Sequence, residues 1–129
     1  MPVASAIETL IVDDQSTMRS LIRTVLGQIG ITSVREAYDG EEALRALVTR
    51  PAHLIISDFN MPKLDGLGLL RAVRAHNPIK HAAFIMLTGR ADVDLVARAR
   101  QFGVNNYVVK PFTAQILKQK IEDVFGALT

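Results

Sequence analysis

The chain contains no cysteine. That excludes a disulfide framework and thiolate metal sites, and it fits a reducing compartment. Long hydrophobic runs are missing too. The longest unbroken one, Ala82 to Leu87, is far short of the roughly 20 residues that span a bilayer. No basic segment precedes the first apolar stretch, so no signal peptide is expected. Charge of one sign is not in excess: 15 basic and 13 acidic residues leave a net +2, too mild a surplus for a nucleic-acid groove. Arg19, Arg23, Arg45 and Arg74 are scattered singly over helical positions and read as a solvated face. Repeats, low-complexity tracts and linkers are also lacking. These absences lead to the expectation of a soluble cytoplasmic protein, a single domain over residues 1–129, binding neither nucleic acid nor membrane.

What is present is ordinary globular material, with 49% hydrophobic and 22% charged residues in a chain of 129, enough to bury a real core. Short apolar runs alternate with helical patterns. Thr9–Val12, Leu54–Ile56, Ala83–Leu87 and Asn106–Val109 read as strands, and Ser33–Ala37 as a more polar edge strand. Met18, Leu21, Ile22, Val25, Leu26 and Ile29 recur at helical spacing and are closed by Gly30. Glu41–Arg50, Asp65–Ala75 and Val93–Phe102 are predicted helices. The last of these carries Arg98 and Arg100 at its negative dipole end. Thr113 is expected to cap a final helix whose stripe is Leu117, Ile121, Val124, Phe125 and Leu128. Five strands alternating with five helices predict an α/β, doubly wound parallel sheet covered on both faces.

In such sheets the functional groups gather beyond the carboxyl ends of the strands. Asp13 and Asp14 follow the first strand, Asp58 the third, Thr88 the fourth and Lys110 the fifth. Taken singly, each is commonplace: an Asp after a strand is more often a helix cap than a ligand, and Lys-Pro is a turn. Their joint placement on one rim is not. Crowded carboxylates repel, and a divalent cation relieves them. All-oxygen ligands favour magnesium, which shares a substrate phosphate. Lys110 suits a phosphoryl oxygen and Thr88 offers one hydrogen bond. The set fits phosphoryl transfer, with Asp58 as the nucleophile. The turn Asp13-Asp14-Gln15-Ser16 lacks the glycines of a dinucleotide site, and Asp58-Phe59-Asn60 lacks the companions of a kinase motif.

Asp13-Asp14, Asp58, Met61-Pro62, Asp65-Gly66, Thr88 and Lys110-Pro111-Phe112, in that order, resemble the response-regulator receiver family over nearly the whole chain. Ser16-Thr17-Met18-Arg19, Ile56 to Pro62 and Tyr107 to Ala114 are similar to the stand-alone CheY-type chemotaxis regulators, and Asp58-Phe59-Asn60 to their alphaproteobacterial versions. The resemblance implies a flavodoxin-like sheet of strand order 2-1-3-4-5, a single receiver domain without an output domain, and a monomer. It implies phosphorylation of Asp58 by a chemotaxis histidine kinase. Magnesium would be held by Asp14 and Asp58, by the backbone carbonyl of Asn60, and by Asp13 through water. It further implies a Lys110 contact to the phosphoryl group, a Thr88–Tyr107 switch, room for the phosphoryl group at Gly89, and a cis Lys110–Pro111 bond. Candidate partners are a flagellar motor switch protein, facing Arg90, Val93, Val96 and Lys120, and a phosphatase. Arg90, Asp92 and Val93 differ in character from the familiar enteric form, and Arg90 is expected to alter the phosphoryl lifetime. The alternatives are a phosphate sink or relay without motor binding, and an aspartyl-nucleophile phosphatase, against which Asn60 stands where those enzymes carry a second Asp. His53, His76 and His81 share no helical face and are expected in surface or packing roles.

Overall fold

In a computed structural model of the chain, residues 3–89 and 93–129 are described. Five strands, β1 (Thr9–Val12), β2 (Val34–Ala37), β3 (Leu54–Asp58), β4 (Ala83–Thr88) and β5 (Asn106–Val109), form one parallel sheet in the order β2-β1-β3-β4-β5. The helices α1 (Ser16–Gln28), α2 (Gly40–Thr49), α3 (Gly66–Ala75), α4 (Val93–Gln101) and α5 (Ala114–Phe125) alternate with them. This is the doubly wound sheet expected from the sequence pattern, in the strand order that the resemblance implied.

Every residue of β1, β3 and β4 is buried, which is why these strands read as continuous apolar runs rather than alternating ones. The two-residue pleat then splits each strand between two cores. Leu10, Val12, Ile55 and Phe84 enter one, with Leu47 of α2 and Leu70 of α3. Ile11, Ile56 and Ile85 enter the other, with Ile22 of α1 and Leu117 of α5. Each such side chain contributes about 1.5–3 kcal/mol by leaving water.

The caps follow the sequence signals. Asp39, Asp65 and Thr113 accept hydrogen bonds from the backbone N–H groups of Glu42, Gly68 and Ile116, and so start α2, α3 and α5. Two expectations need correction. Leu21, placed on the inner face of α1, is 48% exposed, because the buried arc centres on Ile22, Val25 and Leu26 and Leu21 falls at its margin. β3 and β4 also run further than their apolar residues, so Asp58 and Thr88 are the last residues of their strands rather than the first beyond them. A short 3-10 turn at Ala4–Ala6, without a sequence signal, precedes β1. The Ala4 N–H donates to the Thr129 carbonyl oxygen at 3.0 Å. No helix among the described residues is long and apolar enough to cross a membrane.

Candidate functional site

The strand order reverses between β1 and β3, so the crevice of this sheet opens at their carboxyl ends. Val12 pairs with Ser57, Asp58 with Leu87, and Thr88 with Val109. The next residue along each ladder is therefore Asp13, Asp58, Thr88 or Lys110, and the register alone brings four separated segments to one rim.

The Asp13 side chain is fully buried. Its Oδ1 accepts the Gln15 N–H at 2.9 Å, and its own N–H donates to the Ala37 carbonyl at 3.2 Å. Asp13 does not cap α1, whose N-cap position is Gln15. Oδ2 of Asp13 is buried without a hydrogen bond; the Lys110 ammonium stands 3.7 Å away, beyond hydrogen-bonding range. Burial holds the Asp13 carboxyl above its ordinary range. The Gln15 bond opposes this, Asp58 adds to it, Lys110 opposes it and Asp14 adds to it.

Asp58 lies at the end of β3 with its Oδ1 3.0 Å from Lys110 Nζ. Asp14 is exposed and completes a group of three carboxylates whose oxygens lie within 4.8 Å of one another. Among the described residues the Lys110 ammonium is the one cation paired with this group, so the cluster holds more carboxylates than paired cations. An orphaned buried oxygen beside a triple carboxylate is the donor set of a hard divalent cation. The residues present therefore fit magnesium.

The surrounding backbone is tightly held. The Lys110 N–H donates to the Thr88 carbonyl at 2.7 Å, tying the ends of β4 and β5 together. Thr88 is buried. The Lys110–Pro111 peptide is cis, as the resemblance implied. Gly66 packs under the end of β3: its N–H donates to the Phe59 carbonyl at 2.8 Å, and a Cβ there would lie 2.5 Å from the Asp58 carbonyl oxygen and 2.7 Å from Met86 Sδ. That explains the Asp65-Gly66 pair, in which one residue caps α3 and the other lets it approach. A Cβ on Gly89 would meet nothing within 4 Å, so space is open beside Thr88.

Asn60 is exposed just beyond β3. Tyr107 is half-buried on β5 and packs against the core, with Lys120 Nζ 4.9 Å from the centre of its ring. Val93 is 81% exposed at the start of α4, and Val96 is half-buried. Arg90 and Asp92 lie outside the described residues. The histidines are not brought together with the rim: His53 Nδ1 accepts the Glu8 N–H at 3.0 Å, and His76 is the C-cap residue of α3.

One contact at the rim has no signature in the sequence. Arg19 of α1 donates from Nη1 to the Asp13 carbonyl oxygen at 2.6 Å and from Nε to Glu36 of β2 at 3.0 Å. This corrects the expectation that Arg19 lies on a solvated face. A long side chain reaching a carbonyl leaves no periodic signature.

Comparison with known proteins places the geometry. Residues 9–122 match the response regulator receiver domain family. The chain is 51% identical over 128 residues to a Rhizobium etli protein named "Probable chemotaxis protein CheY", covering 99% of each. It is 50% identical over 116 residues to the chemotaxis protein CheY of Pseudomonas aeruginosa, covering 90% of this chain and 94% of that one. Among solved structures, chemotaxis response regulator CheY4 of Vibrio cholerae superposes with a TM-score of 0.85 at 30% identity, over 92% of this chain and 98% of that one. A response regulator receiver domain protein from Clostridium thermocellum gives 0.81 at 34% identity, over 92% and 93%.

Proposed function

Because the chain belongs to the response-regulator receiver family, a family of signalling proteins, we propose that its rim accepts a phosphoryl group on Asp58 from a histidine kinase and that the phosphorylated form signals in chemotaxis. The observation that carries this reading is the Lys110–Asp58 pair at 3.0 Å inside a triple carboxylate cluster. A strand-end aspartate with an ammonium beside it, and more negative charge than that ammonium can balance, is arranged for a cationic cofactor and an anionic substrate together.

In the step proposed, an Asp58 carboxylate oxygen attacks the phosphorus of a phosphohistidine. The new P–O bond forms as the P–N bond breaks, and the electron pair leaves with the imidazole nitrogen. Asp58 ends as an acyl phosphate. Lys110 changes from partner of the Asp58 carboxylate to partner of a phosphoryl oxygen, and the Thr88 hydroxyl donates to another. Asp14, Asp58 and the Asn60 carbonyl would hold magnesium, with Asp13 acting through water. When bound, the ion neutralises charge on the transferring group. Hydrolysis of the acyl phosphate resets the protein.

Signalling then follows from a population shift. The added charge at Asp58 draws Thr88 toward the phosphoryl group, and Tyr107 of the neighbouring strand packs inward behind it. The face changed by that movement carries the exposed Val93 and the half-buried Val96 and Lys120, and it is the surface offered to a flagellar motor switch protein. Arg90, two residues past Thr88 in the sequence, is expected to face the same partner and lies outside the described residues.

The test is labelling with acetyl phosphate and magnesium, read by intact mass. Wild type is expected to gain one phosphoryl group and Asp58→Asn none; undiminished labelling of the mutant would move the nucleophile elsewhere. Capture of a motor switch protein by the phosphorylated form alone supports the chemotaxis output. Transfer from a chemotaxis kinase without such capture would make the protein a phosphate sink or relay instead.

A further inference from the structure

We infer that Arg19 is a positioning residue for the proposed magnesium site, acting through the peptide plane that joins Asp13 to Asp14. The inference rests on the reading of the rim given above and goes beyond it to a residue that contacts neither the metal nor the phosphoryl group.

The Asp13 carbonyl and the Asp14 N–H belong to one rigid peptide unit. Arg19 Nη1 holds that carbonyl at 2.6 Å. The charge-assisted bond is short and strong for a neutral acceptor. Asp14 hangs from the other end of the same unit. Its carboxylate is exposed and makes no hydrogen bond of its own among the described residues. The peptide unit on its other side is held by the Gln15 N–H bond to Asp13 Oδ1, so the two planes flanking Asp14, one of them held by Arg19, set where its carboxylate points. Asp13 is anchored independently by its N–H to Ala37 and its Oδ1 to Gln15. Of the two adjacent acids, Asp14 is the one that depends on Arg19.

Arg19 is itself fixed at its other edge. Its Nε donates to Glu36 Oε1 at 3.0 Å, and Arg23 Nε donates to Glu36 Oε2 at 2.7 Å. Both carboxylate oxygens of Glu36 are thus used. Its carboxyl is held below the ordinary glutamate range: partial burial opposes the shift, and the bonds from Arg23 and Arg19 outweigh it. The Arg19 guanidinium is mostly buried, with 18% of the side chain exposed. Helix α1, strand β2 and the loop after β1 therefore converge on one planar group, whose fork geometry suits two acceptors at once. A lysine could serve one acceptor but not both. Supporting bonds of this kind to metal-binding loops commonly carry about 10-fold or more in metal affinity.

The experiment is isothermal titration of the full chain with magnesium chloride at fixed ionic strength, alongside the melting temperature of each protein in EDTA. Arg19→Met is expected to bind magnesium about 10-fold more weakly, Arg19→Lys to fall between it and wild type, and Arg23→Met to bind like wild type. The melting temperature in EDTA separates positioning from folding: the loss of affinity is expected in samples that remain folded throughout the titration. Should Arg19→Met fail to fold, Glu36→Gln, which loosens only the far edge of Arg19, is expected to weaken magnesium binding in the same direction. Equal affinity in Arg19→Met and wild type overturns the inference; if Arg19→Met does not fold, equal affinity in Glu36→Gln overturns it. Wild type that binds no magnesium overturns instead the reading of the rim on which it rests.

Discussion

The two ends of the sheet handle buried charge in opposite ways. At the amino end, the Arg74 guanidinium donates to the carbonyls of Gly103, Lys80 and Ala82 and to Asn105 Oδ1 at 2.7–3.1 Å. Burial alone lowers its affinity for a proton. No carboxylate pairs with it among the described residues, yet its donors are matched by acceptors. Asn105 in turn accepts the Phe84 N–H at 2.7 Å, so α3, β4 and the approach to β5 are fastened together. At the carboxyl end, among the described residues, three carboxylates face one lysine, and a buried oxygen of Asp13 has no hydrogen bond. The Arg74 end is closed around its cation, although Thr9 Oγ1 at the start of β1 is also buried without a hydrogen bond, and the carboxylate end is left open. Saturated polar groups hold a fold together, whereas an unbalanced cluster of charge marks where a ligand belongs.

The largest effect is expected at the open end. Chelating divalent ions with EDTA is expected to reduce labelling of wild type by acetyl phosphate to background while leaving its circular dichroism unchanged. Labelling that persists at full rate would mean that the carboxylates do not work through a cation. The next largest effect belongs to the closed end. Arg74→Met leaves several carbonyls without their donor and should lower stability in urea by about 2–4 kcal/mol, with the rate of labelling at 25 °C nearly unchanged. A large loss of labelling in folded Arg74→Met would show that the two ends are not separable.

Gly66→Ala sits between the two. The new methyl collides with backbone rather than with a flexible tip, so a loss of about 1–3 kcal/mol is expected. Slower labelling should accompany it, because the displaced atom is the carbonyl of Asp58 itself.

The smallest effect is one of sign, read from urea midpoints between about pH 4 and pH 7 without metal. Asp13 has a raised carboxyl in the folded chain. The folded state therefore binds more protons there than the unfolded state does, and this group's contribution to stability falls as pH rises from the ordinary carboxylate range through its raised value. Glu36 is shifted the other way. Its contribution is complete above the ordinary glutamate range and is lost as pH falls through its lowered value. Relative to wild type, Asp13→Asn should gain stability with rising pH and Glu36→Gln should lose it. Parallel trends in the two mutants would contradict the assignment of charge in one of them.

Much of this was legible in the sequence for a definite reason. Strands buried on both faces leave unbroken apolar runs, so β1, β3 and β4 could be placed to within two residues. The acids, the threonine and the lysine stand next to those runs. The rim could therefore be assembled from a rule about strand ends without knowing the register, while the order of the strands came from family resemblance. What stayed hidden depends on reach. Arg19 meets Glu36 seventeen positions on, and Arg74 meets Asn105 thirty-one positions on; no local pattern encodes either meeting. Leu21 was misplaced for the converse reason: its spacing is helical, and only the width of the buried arc excludes it.

The bond between Ala4 and Thr129 has a practical meaning for anyone handling the protein. It brings the first described turn and the end of the chain to the side of the sheet where the strands begin, opposite the acidic rim. A bead, a chip or a fluorophore attached at either place would leave Asp58 facing the solution. An immobilised sample should thus keep its acidic rim as accessible as it is in the free molecule.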